Sequence, residues 1–422
     1  MDSCVGPWTR RWPAKARIRG ADDLRGRLRE TLNCYLQSRR TPETGTFRRG
    51  HHTGNITRHH NSHIVHSRTA PSTFFYHYTS LKGVLTVLRG GRVDDNVRVL
   101  ILSVSRDARP RLTGRVALVT GGSGFLGSLL VERLLGSDTA EVRVLTRTPR
   151  PATSSQPLIH GRRPRFIVGE LTDERVLREA LRGADVVFHL AAVKSVELCD
   201  ASPSMAIDTN VHGSGALIQA ALAETKLERF IAISSDKACR PTTVYGLTKA
   251  LMERMVSEAY GMSKADFGTV RCGNLWGSTG SVVARWQAAA QAGADLSVTN
   301  PEMTRFIMLR QEAVDLIVEA TSRTMEGSVL CRVMPAYALG DLAAAVSEMH
   351  GVKRHVIGGR PGEKVHEDLV SVGESPFTER NGEFFTITPG RRRTGAAPFS
   401  SADTHRVTAP ELRVLLSHLK AP

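Results

Sequence analysis

From residue 115 onward, short apolar runs alternate with stretches in which apolar residues recur at helical spacing, the pattern of βαβ units wound about a parallel sheet. The runs predict strands over 116–120, 142–146, 166–169, 186–190, 230–234 and 268–271. Helices are predicted over 124–135, 173–181, 203–223 and 244–260, each with the length and apolar spacing of a crossover. No internal repeat is evident. After Arg271 the elements become shorter and mixed, as in a smaller lobe lying over the carboxyl ends of the strands, where ligands bind in such folds. The fold expected is α/β, a doubly wound parallel sheet with a smaller C-terminal lobe. Its expected divisions are 1–110, 111–271, 272–395 and a closing tail or helix over 396–422, the third interleaved with the second.

The first 110 residues read differently. Leu24, Leu28, Leu32 and Leu36 recur every four residues and predict one amphipathic helix, and Leu81 to Leu88 predicts another. Between them lies polar, Arg- and His-rich sequence, including His51-His52, His59-His60, His63 and His66, which reads as low in order. The whole chain of 422 residues has a formal net charge of +16. Residues 1–110 hold 20 Lys and Arg against 8 Asp and Glu, so the excess belongs mainly to this extension. A nucleic-acid-binding arm and a metal-binding His tract are open for it, and a solvated tail or an overextended gene start is favoured.

Elsewhere the composition excludes more than it proposes. No apolar run approaches the roughly 20 residues needed to span a bilayer, and no signal-peptide segment is seen, so a cytoplasmic protein without membrane attachment is expected. Six scattered cysteines, with no CxxC or His/Cys cluster, suggest neither a disulfide framework nor a metal site.

Candidate chemistry begins where the first strand ends. Thr120-Gly121-Gly122-Ser123-Gly124-Phe125-Leu126-Gly127 has GxxGxxG spacing directly after a strand and before a helix, a setting in which backbone N–H groups and the helix N-terminus can face a pyrophosphate. That context identifies a Rossmann-type dinucleotide site. The second strand ends in Thr146-Arg147-Thr148 in place of the acid that usually meets the ribose of NAD. Arg147 can pair with a 2′-phosphate, and Thr146 can donate a hydroxyl, which favours NADP over NAD; a solvent-exposed arginine is the alternative.

Tyr245 and Lys249, at i and i+4 on a predicted helix, share one face. A nearby cation favours phenolate, which would let Tyr245 accept a hydroxyl proton as hydride leaves the same carbon. Upstream, Ser234-Ser235 ends a predicted strand and Asp236-Lys237 follows. A simple alcohol dehydrogenase needs only the hydroxyl there, so the added acid and amine imply an added proton-transfer step. By itself, such a pair is more often a solvated salt bridge, and the neighbouring Ser, Tyr and Lys reverse that reading.

Taken together the segments resemble the UDP-N-acetylglucosamine 4,6-dehydratases of the extended short-chain dehydrogenase/reductase superfamily, of the inverting, pseudaminic-acid-pathway kind (polysaccharide biosynthesis, CapD-like). The glycine loop, His189 to Lys194, Thr209-Asn210, Ser235 to Ala238, Tyr245 to Lys249, Arg271 to Asn274, Gly277 to Val283, Met303 to Phe306 and Arg360 to Glu367 carry the resemblance in order, over about residues 113–390. It implies that Tyr245 takes the C4 hydroxyl proton, Lys237 the C5 proton, and that Asp236 protonates the departing C6 hydroxyl. Ser235 would steady the C4 oxygen, while Lys249 would bind ribose and lower the Tyr245 pKa. Cofactor contacts are implied for the loop, Thr146, Arg147, Glu170, Leu171, Ala191, Ala192, Lys194, Asn210, Tyr245 and Lys249, and UDP-sugar contacts for Lys194, Asn274, Arg305, Arg360 and Glu363. A homo-oligomer is likewise implied. Departures from the family pattern at Glu170, Ser195, Thr279 and Ala284 fall near adenine and the sugar nucleotide, away from the proton-transfer set. A UDP-sugar 4-epimerase and a non-catalytic NADP sensor or nucleic-acid-binding protein are the competing readings, the first opposed by Asp236-Lys237 and the second by the intact Tyr245 and Lys249.

Overall fold

A computed structural model of the chain describes residues 56–59, 62–70, 73–80, 83–90, 112–148 and 158–419, the first four of these segments by backbone alone. Two compact units divide at residues 106 and 107. In the first, β1 (Ile56–His59), β2 (Ser62–Ala70), β3 (Thr73–Ser80) and β4 (Gly83–Gly90) form an antiparallel sheet in chain order. The helix expected over Leu81 to Leu88 is therefore a strand. Val84, Thr86 and Val87 are β-branched, and the aromatic-rich β3 pairs alongside with Tyr76 opposite Val87, a combination that outweighs the leucine spacing. The helix expected from Leu24 to Leu36 lies outside the described residues.

The second unit is built on a nine-stranded sheet. Seven strands run parallel: β5 (Val116–Thr120), β6 (Glu141–Thr146), β7 (Arg165–Val168), β8 (Val186–His189), β9 (Arg229–Ser235), β10 (Asp266–Cys272) and, further along the chain, Val329–Arg332. In space they run 7-6-5-8-9-10 and then Val329–Arg332, so the order reverses between β5 and β8. The helices α1 (Phe125–Leu135), α2 (Glu174–Leu181), α3 (Val196–Ala201), α4 (Pro203–Ile207), α5 (Gly213–Leu222) and α6 (Val244–Ala259) lie between these strands in the chain. All six predicted strands and the first, second and fourth predicted helices form within a residue or two of their expected ends.

Because side chains alternate across a strand, the sheet buries two separate cores. Val119, Val144, Phe188 and Ile231 pack on one face with Leu130 of α1; Leu118, Leu145, Val187 and Phe230 pack on the other with Leu217 of α5 and Met252 of α6. The third predicted helix is broken: a π-helical turn over Asp208–His212 separates α4 from α5. The extra residue in that turn carries buried Asn210, whose side chain is engaged elsewhere, and π-turns frequently accompany such local demands.

The smaller lobe contains α7 (Val282–Gln291), the parallel pair β11 (Leu296–Val298) and β15 (Arg354–Val356), and the antiparallel pair β12 (Thr304–Phe306) and β14 (Ala336–Ala338). Between them α8 (Arg310–Ala320) returns to the large sheet, as does β13 (Val329–Arg332), while α9 (Leu339–His350) stays in the lobe. β16 (Asp368–Val370) pairs with the late strand β19 (Phe399–Ser400), and β17 (Thr378–Asn381) and β18 (Phe384–Ile387) extend the large sheet antiparallel beyond β13. The last element, α10 (Ala409–Ser417), buries Leu412, Leu415 and Leu416 and packs on α9. Among the described residues no helix is long and apolar enough to cross a membrane.

Candidate active site

The glycine loop leaves β5 at the point where the strand order reverses, the usual ligand crevice of such sheets. Gly121 has φ +70°, and a Cβ there would come within 2.7 Å of the Ala191 nitrogen. A Cβ on Gly127, inside the first turn of α1, would collide with the Gly121 carbonyl oxygen. Only bare backbone fits this strand, turn and helix, and the first-turn N–H groups of α1 have no acceptor within the helix. The donors and the helix dipole suit a pyrophosphate, so the residues present fit a dinucleotide. At the end of β6, Thr146 is buried with its hydroxyl 3.3 Å from that of Ser123, and Arg147 is exposed. Glu170 is exposed after β7, whereas Leu171 is buried and lies against Gly213.

Across the crevice, β8 ends in buried His189, whose ring nitrogens meet Thr120 Oγ1 and Ser214 Oγ, each at 2.8 Å. Burial, with Lys249 adding to it, pushes its pKa down to about 3, so the ring is a neutral strut. Thr120 Oγ1 accepts the Ala191 N–H at 3.3 Å. Asn210 in turn holds Val193 and donates to Thr248 Oγ1 at 3.1 Å, tying the Ala191 to Lys194 segment to α6. Lys194 itself is exposed and donates to the Thr279 carbonyl at 3.2 Å.

The proton-transfer candidates meet where β9 ends. Ser235 donates to Asp236 Oδ1 at 2.8 Å and caps the single 3₁₀ turn Asp236–Ala238 by accepting the Lys237 N–H. Asp236 is fully buried, and its Oδ2 has no hydrogen-bond partner. Burial raises the Asp236 pKa against the pull of Lys237. Lys237 Nζ sits between two carboxylates, 3.2 Å from Asp236 Oδ1 and 3.1 Å from Glu367 Oε1. Burial opposes its charge, yet these two anions lift its pKa above the ordinary lysine value.

Tyr245, in the first turn of α6, differs from expectation. Burial pushes its phenol up to about 12, and the cation opposing that rise is Lys237, helped by a hydrogen bond with Ser235. Lys249 instead donates to the Ile233 carbonyl at 2.6 Å, and burial pulls its own pKa down to about 8. The i, i+4 spacing does put both on α6, but the buried ammonium is turned toward β9.

Asp236's neighbours open onto a cleft between sheet and lobe, with a cavity volume of about 260 Å³. Lys237, Asn274, Arg305, Arg360 and Glu363 all line it. The Asn274 side-chain oxygen is buried there without a partner. Arg305, expected to grip pyrophosphate, is buried and already engaged. It donates to the carbonyls of Thr304 and Val365 and to Glu363, and its Nε lies 3.9 Å from Glu367. Glu363 consequently braces Arg305. Arg360 is exposed at the mouth, where it and Arg285 of α7 converge on one oxygen of Glu197, at 2.7 and 2.9 Å. Sequence reasoning missed Glu367, Glu197 and Arg285, as well as Trp276 and Tyr337, which pack edge to face on the cleft wall. Glu367 closes the Arg360 to Glu367 segment and was open to notice; the rest carry no spacing signal.

The chain matches the family described as polysaccharide biosynthesis protein over residues 117–389. It is 36% identical to an uncharacterised membrane protein of Methanocaldococcus jannaschii, over 65% of this chain and 86% of that protein. It is 32% identical to the UDP-glucose 4-epimerase of Rickettsia felis, over 72% and 96% respectively. Among solved structures, Pen from Bacillus thuringiensis superposes with a TM-score of 0.67 at 29% identity, covering 73% of this chain and 98% of that one.

Proposed function

The chain belongs to the polysaccharide biosynthesis protein family, as a nucleotide-sugar-modifying enzyme of the dehydratase and epimerase type, and we propose that it is a UDP-N-acetylglucosamine 4,6-dehydratase. The observation that carries this reading is the buried contact of Lys237 with Asp236 beside Tyr245, since exchange at C4 alone needs neither the amine nor the second acid. The glycine loop, Thr146, Arg147, Ala191 and Asn210 would hold a nicotinamide dinucleotide, and exposed Arg147 with no carboxylate at the end of β6 favours NADP. When bound, that group supplies a two-electron store that is filled and emptied within one turnover.

Tyr245 takes the C4 hydroxyl proton as that carbon is oxidised, with Ser235 and Lys237 easing the charge on its phenol oxygen. The C4 ketone makes C5–H acidic. Lys237, in its neutral form, takes the C5 proton; the electron pair becomes the C5–C6 double bond, the C6–O bond breaks, and Asp236 gives its proton to the departing oxygen as water. The raised proton affinity of buried Asp236 keeps that proton available. Reduction at C6 and protonation at C5 then complete a 4-keto-6-deoxy sugar with no net redox change. Inversion at C5 follows where the proton returns to the opposite face.

The relationship to Rickettsia UDP-glucose 4-epimerase favours a second reading, exchange at C4 alone. Incubation of the purified protein with UDP-N-acetylglucosamine and mass spectrometry of the product tests both. Loss of one water is expected; an unchanged mass with C4 isomerisation would replace the dehydratase by the epimerase.

A further inference from the structure

We propose that Glu367 is the positioning residue of this site: its carboxylate, carried in from the lobe, aims the Lys237 ammonium and governs how Asp236 and Lys237 divide their protons. The proposal deepens the dehydratase reading and rests on it.

Asp236 precedes Lys237 in the chain, so their contact is local. Glu367 arrives from 130 positions later and meets the same nitrogen at 3.1 Å. Its backbone is fixed on both sides: the Glu367 N–H donates to Ser401 Oγ at 2.9 Å, and the Ser401 N–H donates to the Glu367 carbonyl at 2.8 Å. Ser401 Oγ also contacts Thr304 Oγ1 at 2.6 Å, which ties the carboxylate's base to β12. The side chain is about 5% exposed, so this is a buried contact and not a rim salt bridge.

The surrounding charges determine what it does. Lys237 is faced by Asp236, Glu367, Arg305, Tyr245 and Tyr337. Glu367 is faced by Lys237, by Arg305 with Nε at 3.9 Å and by Lys364 with Nζ at 3.5 Å, with Asp368 next in the chain. Burial pushes its own pKa up, but three cations outweigh that and hold it below the usual carboxylate value, which favours its charged form beside Asp236 and Lys237. A fixed negative charge there raises the proton affinity of Asp236 and of Lys237 together. The elimination needs Asp236 protonated and Lys237 neutral at one moment. Glu367 favours the first condition and delays the second, and thereby places the pH window in which both hold. The same contact draws Nζ toward the lobe side of the cleft.

The test compares Glu367→Gln and Glu367→Asp with the unaltered enzyme, all in the full chain. Two readouts are taken: the pH dependence of water loss from UDP-N-acetylglucosamine, and the titration of the Lys237 side chain by NMR in enzyme carrying carbon-13 at lysine Cε, assigned with Lys237→Arg. Glu367→Gln should move both limbs of the activity profile to lower pH, by roughly one to three pH units, and the Lys237 midpoint with them. Glu367→Asp should restore the limbs to their original pH at reduced amplitude. A Glu367→Gln enzyme that melts normally but shows reduced amplitude with unmoved limbs and an unmoved Lys237 midpoint would overturn the proposal. Should the unaltered enzyme remove no water while the Lys237 midpoint still falls in Glu367→Gln, the dehydratase reading fails and the control of Lys237 by Glu367 stands.

Discussion

Asn210 holds both polar backbone groups of Val193: its side-chain oxygen accepts the Val193 N–H at 2.8 Å, and its amide donates to the Val193 carbonyl at 3.0 Å. A single side chain thus substitutes for a strand partner at the end of β8. Asn210→Ala should leave two backbone groups without partners and cost about 1–3 kcal/mol of stability, measured by denaturant unfolding. Affinity for a nicotinamide dinucleotide should weaken with it, because Ala191 to Lys194 lose their tether. A variant of undiminished stability and affinity would show that the clamp is ornamental.

Lys249 makes stability depend on pH in an unusual direction. Its pKa in the folded protein, about 8, lies below the unfolded lysine value near ~10.4, so between those limits the unfolded chain binds more protons. The penalty for burying it is fully present below about pH 8 and fades as pH rises toward ~10. Lys249→Met should therefore raise the melting temperature at pH 7, with the gain shrinking by pH 10, while abolishing turnover. An equal gain at both pH values would contradict a titrating Lys249.

Separating the steps of turnover depends on Lys237. Lys237→Ala should remove no water from UDP-N-acetylglucosamine yet still reduce part of the added cofactor, since the proposed reaction oxidises C4 first. The nicotinamide absorbance band after mixing reports that reduction. Full dehydration by this variant would take Lys237 out of the chemistry.

Glu197 already engages Arg285 and Arg360 at the mouth of the cleft, so it would compete with the diphosphate of the proposed substrate. These are half-exposed pairs, each of modest strength. Glu197→Gln should tighten UDP binding roughly three- to ten-fold by calorimetry, leave uridine binding unchanged, and reduce the salt dependence of neither. Weaker UDP binding would mean that Glu197 supports the site.

Cofactor preference is expected to follow Arg147. Replacement by Asp restores an acid at the end of β6, and the ratio of NADP⁺ to NAD⁺ affinity should fall by at least tenfold. An unaltered ratio would place the discrimination elsewhere.

The large sheet was legible because its signals are local. Short continuous apolar runs, buried on both faces as at Leu118 and Val119, and glycines at a strand-to-helix turn are written into neighbouring residues. Tyr245 and Asp236-Lys237 could be placed for the same reason. What stayed hidden depends on distant partners. The break at Asp208–His212 follows from Asn210 reaching Val193, seventeen residues back. The second anion on Lys237 comes from another lobe, and Arg305 looks like a phosphate ligand until its donors are seen engaged by Glu363 and nearby carbonyls. In the first unit, leucine spacing competed with β-branched content, and pairing with β3 decided for strand.

Ser401, whose hydroxyl anchors Glu367, directly follows β19, the strand that closes against β16. Asp236, Lys237 and Tyr245 are presented by the end of β9, the turn after it and α6, all far earlier in the chain. The carboxylate that meets Lys237 from the lobe is thus held in place by a segment outside every motif. A change confined to the segment 399–401 would therefore be felt at Lys237 although it touches none of the motif residues.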